Sequence, residues 1–241
     1  MQPVSSKLLE KRRLLPENTW HFASKANSVP LTVSEFAIAA REMPIVFTDP
    51  GENVGETPFP VCIMGFRPGE NLMIEGGSGR WKGGDYIPAY MRRFPFITAQ
   101  AGQGSDGRQQ LVIAVETGRA SEERISKPTA TRGDLLYDDQ GRATKVLEQR
   151  MAFCEDYYRE TVMTQELGRL LVKYNLLEKR SADLELRSGE KHTMRGFLMV
   201  SDKALSGLSD RAVIDLQRRG FLSAIHFHLQ SELSWQRILN A

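Results

Sequence analysis

A long stretch of helical hydrophobic spacing constrains the fold of this chain most. Between residues 143 and 177, apolar and aromatic side chains recur at steps of three and four positions, in two successive groups. They are Leu147, Met151, Cys154, Tyr158, Leu167, Leu170 and Tyr174. This spacing places the members of each group on one face of a helix. It therefore predicts one long amphipathic helix in the middle of the sequence.

The segments around that helix follow strand patterns. Short apolar runs bounded by polar or glycine-containing turns predict three hairpins, at 58–76, 94–117 and 181–201. The apolar run at 44–47 predicts a further buried strand. Two more helices are predicted at roughly 209–219 and 221–239, with Gly220 between them.

A helix start lies ahead of these strands. Thr32 can cap the backbone of Glu35, and Glu35 can reach back to Thr32, which is the pattern of a capping box. Together the elements predict an α+β fold, with antiparallel hairpins packed with the long central helix and the C-terminal helices. The length of 241 residues fits a single domain, and the polar segment 118–142 is the best candidate for a boundary within it.

The charge balance argues against one class of partner. The chain has 32 basic and 30 acidic side chains mixed along its length, so its net charge is only +2. A nucleic-acid-binding protein usually carries a strongly basic face, and the sequence shows none. No apolar run approaches the roughly 20 residues that a membrane-spanning helix needs.

The N-terminus and the cysteines indicate a reducing compartment. The first 18 residues lack the apolar core of a secretory signal, which predicts a cytoplasmic protein. The basic, leucine-rich leader at residues 7–15 is expected to dock or fray rather than to form a membrane-surface helix. Cys62 and Cys154 have no second cysteine nearby, so we expect two buried thiols rather than a metal or redox motif.

The stretch GDYIPAYMRRFPF, residues 84–96, is the strongest candidate for a functional site, and we call it the aromatic–arginine motif. Its prolines limit the helix within it to about two turns. Tyr86, Tyr90 and Arg93 are spaced by four and three residues, so they share a face of that helix. Arg92 is rotated about 100° from Arg93 and points elsewhere.

Two interpretations of this motif stay open. In the structural interpretation, Arg93 lies over a tyrosine ring and Arg92 pairs with a surface carboxylate. In the binding interpretation, Trp81, Tyr86 and Tyr90 line a pocket together with one of the arginines. Such a pocket would take a carboxylate, a phosphate or a peptide segment, because aromatic residues with arginine are typical of binding hot spots.

Familiar catalytic and metal motifs fail in this sequence. Ser78 lies in GGSGR, but a nucleophile elbow needs glycine where Arg80 stands. His226 falls on the predicted core stripe of the last helix. His228 and Glu232 share a helix face but offer only two ligands, so they are weak metal candidates. No metal or cofactor is therefore expected, and the absence of hydrolase and nucleotide motifs argues against an enzyme.

Four segments together resemble the SapC family in order and spacing. They read NSVPLTVSEF…AREMPIVF, PVCIMGF…GENLMI, GRW…GDYIPAYMRRFPF and SGEKHTMRGFLMVSDKAL. The resemblance runs from about residue 19 to residue 239, and the aromatic–arginine motif is its most specific part. The positions that match family motifs, without an assigned role, are Glu35, Pro44, Asn71, Trp81, Tyr86, Pro88, Tyr90, Arg92, Arg93 and Pro95.

The resemblance implies an association with the biogenesis and export of bacterial surface-layer proteins. The family is sometimes labelled a peptidase, yet no catalytic residues carry over. The leading hypothesis is therefore a non-catalytic, cytoplasmic accessory protein that binds a peptide or protein partner in envelope biogenesis. The alternatives are a peptide-modifying or peptidase-like enzyme with an unrecognised active site, and signal-independent export to the cell surface. A homo-oligomer also stays open.

Overall fold

The computed structural model of the chain describes residues 1–51, 56–82, 84, 86–103, 109–185, 189 and 191–239. The strands are β1 (Gln2–Pro3), β2 (Arg13–Leu14), β3 (Ser28–Pro30), β4 (Ile45–Thr48), β5 (Pro60–Ile63), β6 (Phe96–Gln103), β7 (Gln109–Val115), β8 (Asp134–Leu135), β9 (Leu177–Glu185) and β10 (Lys191–Val200). The α-helices are α1 (Phe36–Ala39), α2 (Ala89–Arg92), α3 (Lys145–Lys173), α4 (Asp202–Ser206), α5 (Asp210–Arg218), α6 (Phe221–Gln230) and α7 (Trp235–Leu239). The strand pairs among these residues are antiparallel, so the fold is α+β, as predicted.

The larger sheet has five strands in the order β3-β5-β4-β10-β9. Ile45, Val46 and Phe47 of β4 are all buried, because this strand lies in the middle of the sheet. Burial on both faces explains why the run is apolar without alternation. The main hydrophobic core joins this sheet to α1, α6 and the second half of α3.

A smaller sheet, β1-β7-β6, packs on the first half of α3 around a second core. The N-terminal leader belongs to this core, since Leu9 and Leu14 are buried in it and β2 pairs with β8. The leader therefore docks on the second core, which is one of the two expected outcomes, and the structure has no helix within residues 7–15. Ile125 and Leu136 from the polar segment 118–142 are also buried in the second core.

Helix α3 contributes to both cores as one continuous helix of 29 residues. Leu147 and Cys154 belong to the second core, whereas Leu167 and Leu171 belong to the main core. The two successive groups of apolar residues in the sequence thus correspond to two different neighbours of one helix.

Two of the three predicted hairpins are confirmed, and the first is wrong. β6 pairs with β7 and β9 pairs with β10, although residues 104–108 and most of 186–190 at their tips lie outside the described residues. β5 pairs with β3 and β4 instead of with residues 72–76. The side chain of Asn71 explains the difference. Its amide nitrogen donates to the Ala23 carbonyl at 3.0 Å, which ties this segment to the 3-10 turn His21–Ala23, and its amide oxygen accepts from the nearby Met73 N–H at 3.0 Å.

The chain closes with a broken helix rather than the predicted helix 221–239. A 3-10 turn, Ser231–Ser234, separates α6 from α7. The buried stripe of α6 consists of Phe221, Ala224, Ile225 and His228. The expectation that His226 lies in the core is therefore wrong: His226 is exposed, and His228 is the buried histidine.

Candidate functional site

The aromatic–arginine motif is anchored by the buried carboxylate of Glu35. Helix α2 of the motif begins directly after Pro88, and the Ala89 N–H donates to Glu35 Oε1 at 2.7 Å. The Tyr86 hydroxyl donates to the same oxygen. Glu35 Oε2 accepts from the backbone N–H of Thr32 at 2.8 Å and from its hydroxyl at 2.7 Å. The predicted capping box is present, and its carboxylate also fixes α2 against the start of α1.

Asn71, Tyr86 and Trp81 point into the protein rather than towards a ligand surface. Asn71 and Tyr86 are buried, and both use their polar groups in internal hydrogen bonds. Burial raises the pKa of Tyr86, and the nearby Glu35 carboxylate raises it further. Trp81 is half-buried against the main core, and its indole N–H is buried with no acceptor in the described part of the chain.

The two arginines of the motif have different environments, as their spacing predicts. Arg92 Nε donates to the Ile87 carbonyl at 2.9 Å, and its guanidinium lies 5.1 Å from the centre of the Phe153 ring. Among the described residues it forms no ion pair, so the predicted surface carboxylate is replaced by a backbone carbonyl and an aromatic ring.

Arg93 is held between two tyrosine rings. Its guanidinium carbon lies 4.5 Å from the centre of the Tyr90 ring and 5.1 Å from that of Tyr157. Its Nε is buried, and within the described residues Arg93 has neither a hydrogen-bond acceptor nor a carboxylate partner. Burial raises the pKa of Tyr157, while the positive charge of Arg93 lowers it. The Tyr157 ring therefore stays neutral at neutral pH and presents an electron-rich face to the cation.

Tyr90 and Arg93 border a cavity of about 230 Å³. Its apolar wall includes Phe22, Met91, Phe94 and Ile97, and the exposed carboxylate of Glu116 also lines it. The rings of Phe22 and Phe94 are stacked, with centroids 3.9 Å apart. One cation, one carboxylate and several aromatic faces thus surround a small, largely apolar space.

The wall at Phe22 is held in place by a pair of charged residues. The Glu123 carboxylate accepts from the backbone N–H groups of His21 and Phe22, each at 2.9 Å, and from the Thr19 hydroxyl at 2.6 Å. Next to it, Arg124 is only 1% exposed and lies over the ring of Trp20 at 4.4 Å. Burial lowers the pKa of Arg124, and the nearby carboxylates of Glu17 and Glu123 oppose this shift only in part. The buried guanidinium also donates to two backbone carbonyl oxygens, which lowers the cost of burying its charge.

The match to known families covers nearly the whole chain. The family model described as SapC matches residues 4–238 of the 241 residues. This chain belongs to the SapC family. No curated protein and no solved structure matches it.

In this SapC protein, the cavity contains residues that the sequence did not indicate. Phe22, Ile97 and Glu116 come from three separate segments, and nothing in their local spacing links them to Tyr90 or Arg93. Phe94 lies inside the aromatic–arginine motif, but the spacing of the motif gives its side chain no role in a cavity. Its contact with Phe22 depends on the tertiary fold, which a single sequence does not reveal.

The weak metal candidates of this SapC protein do not form a site. His228 is fully buried, and its Nε2 accepts the backbone N–H of Val200 at 3.1 Å. Glu232 is exposed and lies 4.0 Å from Arg180. Among the described residues, no group of three or more histidine, cysteine or acidic side chains is arranged to hold a metal ion. Nor does the described chain contain a helix with the length and apolar character needed to span a bilayer.

Proposed function

We propose that this SapC protein is a non-catalytic accessory protein that binds a peptide or protein segment during the biogenesis or export of surface-layer or other envelope proteins. The binding role rests on one observation: Arg93, clamped by Tyr90 and Tyr157 and without an ion pair in the described chain, borders a small aromatic cavity. The envelope setting rests on what membership of the family implies. In this proposal the protein acts in the cytoplasm, on a partner that has not yet been exported.

The physical argument concerns which side chains stay available. Glu35, Asn71 and Tyr86 use their polar groups to hold the motif, whereas Tyr90 is 36% exposed and Arg93 is half-buried. Aromatic residues and arginine combine large contact area with directional donors, which is why they dominate binding hot spots. The anchored residues keep α2 fixed, so the cavity is formed before a partner arrives and little ordering entropy is lost on binding.

A photo-crosslinking experiment in the native host tests this role. A benzophenone amino acid replaces Ala120, which is exposed and lines the cavity, or Ser223, which is exposed on α6 as a control. We expect the Ala120 position to give a covalent adduct with a defined envelope protein. Arg93→Ala and Tyr90→Ala should each abolish that adduct while changing the melting temperature by only a few degrees.

Two results would contradict the proposal. Equal adducts from the positions of Ala120 and Ser223 would show non-specific capture. An Ala120 adduct that survives both substitutions would show that the arginine and the tyrosine take no part. If both variants instead fail to fold, the motif belongs to the core and the site is lost.

A further inference from the structure

We infer that the cavity bordered by Arg93 recognises a carboxylate group next to an apolar side chain. This inference rests on the proposed function and specifies the ligand of the same cavity. Three features of the cavity carry it: the unpaired guanidinium, the apolar wall and the position of a second, negative charge.

The first feature is the unpaired guanidinium of Arg93. Arginine carries five N–H donors in a planar fork that matches the two oxygens of a carboxylate. The carbon of the Arg93 guanidinium lies 4.5 Å from the centre of the Tyr90 ring and 5.1 Å from that of Tyr157, and these contacts leave its N–H groups without an acceptor in the described chain. Nε is buried without an acceptor in the described chain, and no described residue accepts from the two terminal nitrogens, which are the donors that a ligand carboxylate would bind.

The wall and the volume select the rest of the ligand. The wall is apolar where it is formed by Phe22, Met91, Phe94 and Ile97. It can therefore pack against an aliphatic or aromatic side chain of a ligand and offers few polar groups. The volume of about 230 Å³ is smaller than the roughly 300–1,000 Å³ of most small-molecule sites. The space therefore suits one apolar side chain with an adjacent carboxylate, rather than a nucleotide or a large cofactor.

Glu116 narrows the choice of anion. Its exposed carboxylate lines the same cavity and repels negative charge there. A phosphate carries up to two charges near neutral pH, so it is repelled more than a singly charged carboxylate. Glu116 can also accept an N–H group of a peptide backbone. The two sources of such a ligand are the C-terminus of a chain and an internal aspartate or glutamate beside an apolar residue.

Titration of the isotope-labelled full-length protein with three short peptides, followed by NMR, tests the inference. The probes are acetyl-Gly-Ala-Phe with a free carboxylate, the same peptide as its C-terminal amide, and acetyl-Glu-Phe-Ala as its amide. We expect at least one of the two acidic peptides to bind at least about tenfold more tightly than the neutral amide. The free-acid peptide reports a chain terminus, and the glutamate peptide reports an internal acid.

Variants assign the preference to particular charges. Arg93→Gln should reduce the preference for the acid to less than about threefold, and Arg93→Lys should keep only part of it because lysine lacks the planar fork. Arg41→Gln removes an equal charge at an exposed position outside the cavity and should keep the full preference. Glu116→Gln, also exposed, should tighten the acidic peptide about two- to fivefold without changing the amide.

The outcomes separate this inference from the proposed function. Equal affinities for the three peptides in the unmodified protein would overturn carboxylate recognition while leaving peptide binding intact. A preference that persists in Arg93→Gln, or a Glu116→Gln variant without effect on the acidic peptide, would also overturn it. If none of the peptides binds, both the inference and the proposed binding role of the cavity fail.

Discussion

The Glu35 carboxylate accepts a hydrogen bond from the hydroxyl group of Tyr86, although 51 residues separate the two side chains in sequence. Through this contact a local device, the capping box of the 3-10 turn Val33–Glu35 that leads into α1, also positions the aromatic–arginine motif. Each oxygen of the carboxylate has two donors, and the group is only 7% exposed. The stability of the fold and the placement of Arg93 therefore depend on the same buried residue.

Replacing Glu35 by glutamine tests this dependence. The amide nitrogen of glutamine cannot accept a hydrogen bond, so it would face donors that it cannot satisfy. We expect Glu35→Gln to lower the free energy of unfolding by about 2–4 kcal/mol, measured by urea denaturation. Tyr86→Phe removes a single donor and should cost less, about 1–2 kcal/mol. A Glu35→Gln variant as stable as the original protein would show that the carboxylate does not anchor α2.

Burial of His228 predicts a loss of stability in acid. The imidazole accepts the Val200 N–H, and burial lowers the pKa of His228 from 6.5 to about 4 in the folded protein, against a smaller opposing effect of the Ile45 backbone. The unfolded chain therefore binds more protons between these two values. The contribution of His228 to the free energy of unfolding is therefore fully present above about pH 6.5. It decreases as the pH falls towards 4 and does not change further below that pH.

The matched variant for this prediction is His228→Gln, whose side-chain oxygen can still accept the Val200 N–H. Free energies of unfolding at pH 7, 6 and 5 should fall more steeply in the original protein than in the variant. The difference in slope should approach about 1.4 kcal/mol per pH unit between the two pKa values. Parallel curves for both proteins would show that His228 does not titrate in this range.

Gly168 marks a close approach between α3 and the loop before β5. A Cβ atom at this position would lie 2.2 Å from the Pro58 carbonyl oxygen. In the interior of a helix, alanine is normally more stabilising than glycine by about 1 kcal/mol, but here the clash with Pro58 should outweigh that gain. We expect Gly168→Ala to lower the free energy of unfolding by roughly 1–3 kcal/mol.

Gly207 provides the control for that substitution. Its φ is −90°, and an added Cβ would lie 3.5 Å from its nearest neighbour, which is ordinary contact. Gly207→Ala should therefore be neutral or slightly stabilising in the same denaturation experiment. A Gly168→Ala variant that is stabilised to the same degree would show that the loop at Pro58 can move away without cost.

The parts of this fold that the sequence predicts are those set by local spacing. The capping box at Thr32 and Glu35, the long α3 and the hairpin of β9 and β10 each follow from neighbouring residues. The errors have non-local causes. Asn71 lies in a strand-like segment, but its side chain hydrogen-bonds to the carbonyl of Ala23, which is 48 residues away in sequence. His226 fits an apolar stripe of the sequence, whereas the tertiary fold buries the face of α6 that carries Phe221, Ala224, Ile225 and His228.

The candidate site divides in the same way. The spacing of Tyr90 and Arg93 predicts their contact, because residues three apart on a helix are neighbours. The contributions of Phe22 and Glu116 to the cavity come from distant segments that only the tertiary fold brings together. A single sequence carries no local signal for such contacts, so only the structure shows which residues form the wall of the cavity.

Arg124 provides a test of how the cavity wall at Phe22 is held. Its guanidinium donates to the carbonyl oxygens of Pro16 and Thr19 and lies over the Trp20 ring. Lysine keeps the charge but lacks the planar fork, so it cannot replace all of these contacts. We expect Arg124→Lys to lower the free energy of unfolding by about 2–3 kcal/mol. It should also speed tryptic cleavage in the leader, where Arg12 and Arg13 are partly buried.

The control is Arg119→Lys, which changes an exposed arginine in the same segment and should leave both the free energy of unfolding and the cleavage rate unchanged. Equal cleavage rates in the two variants would mean that Arg124 does not hold the leader and the wall in place.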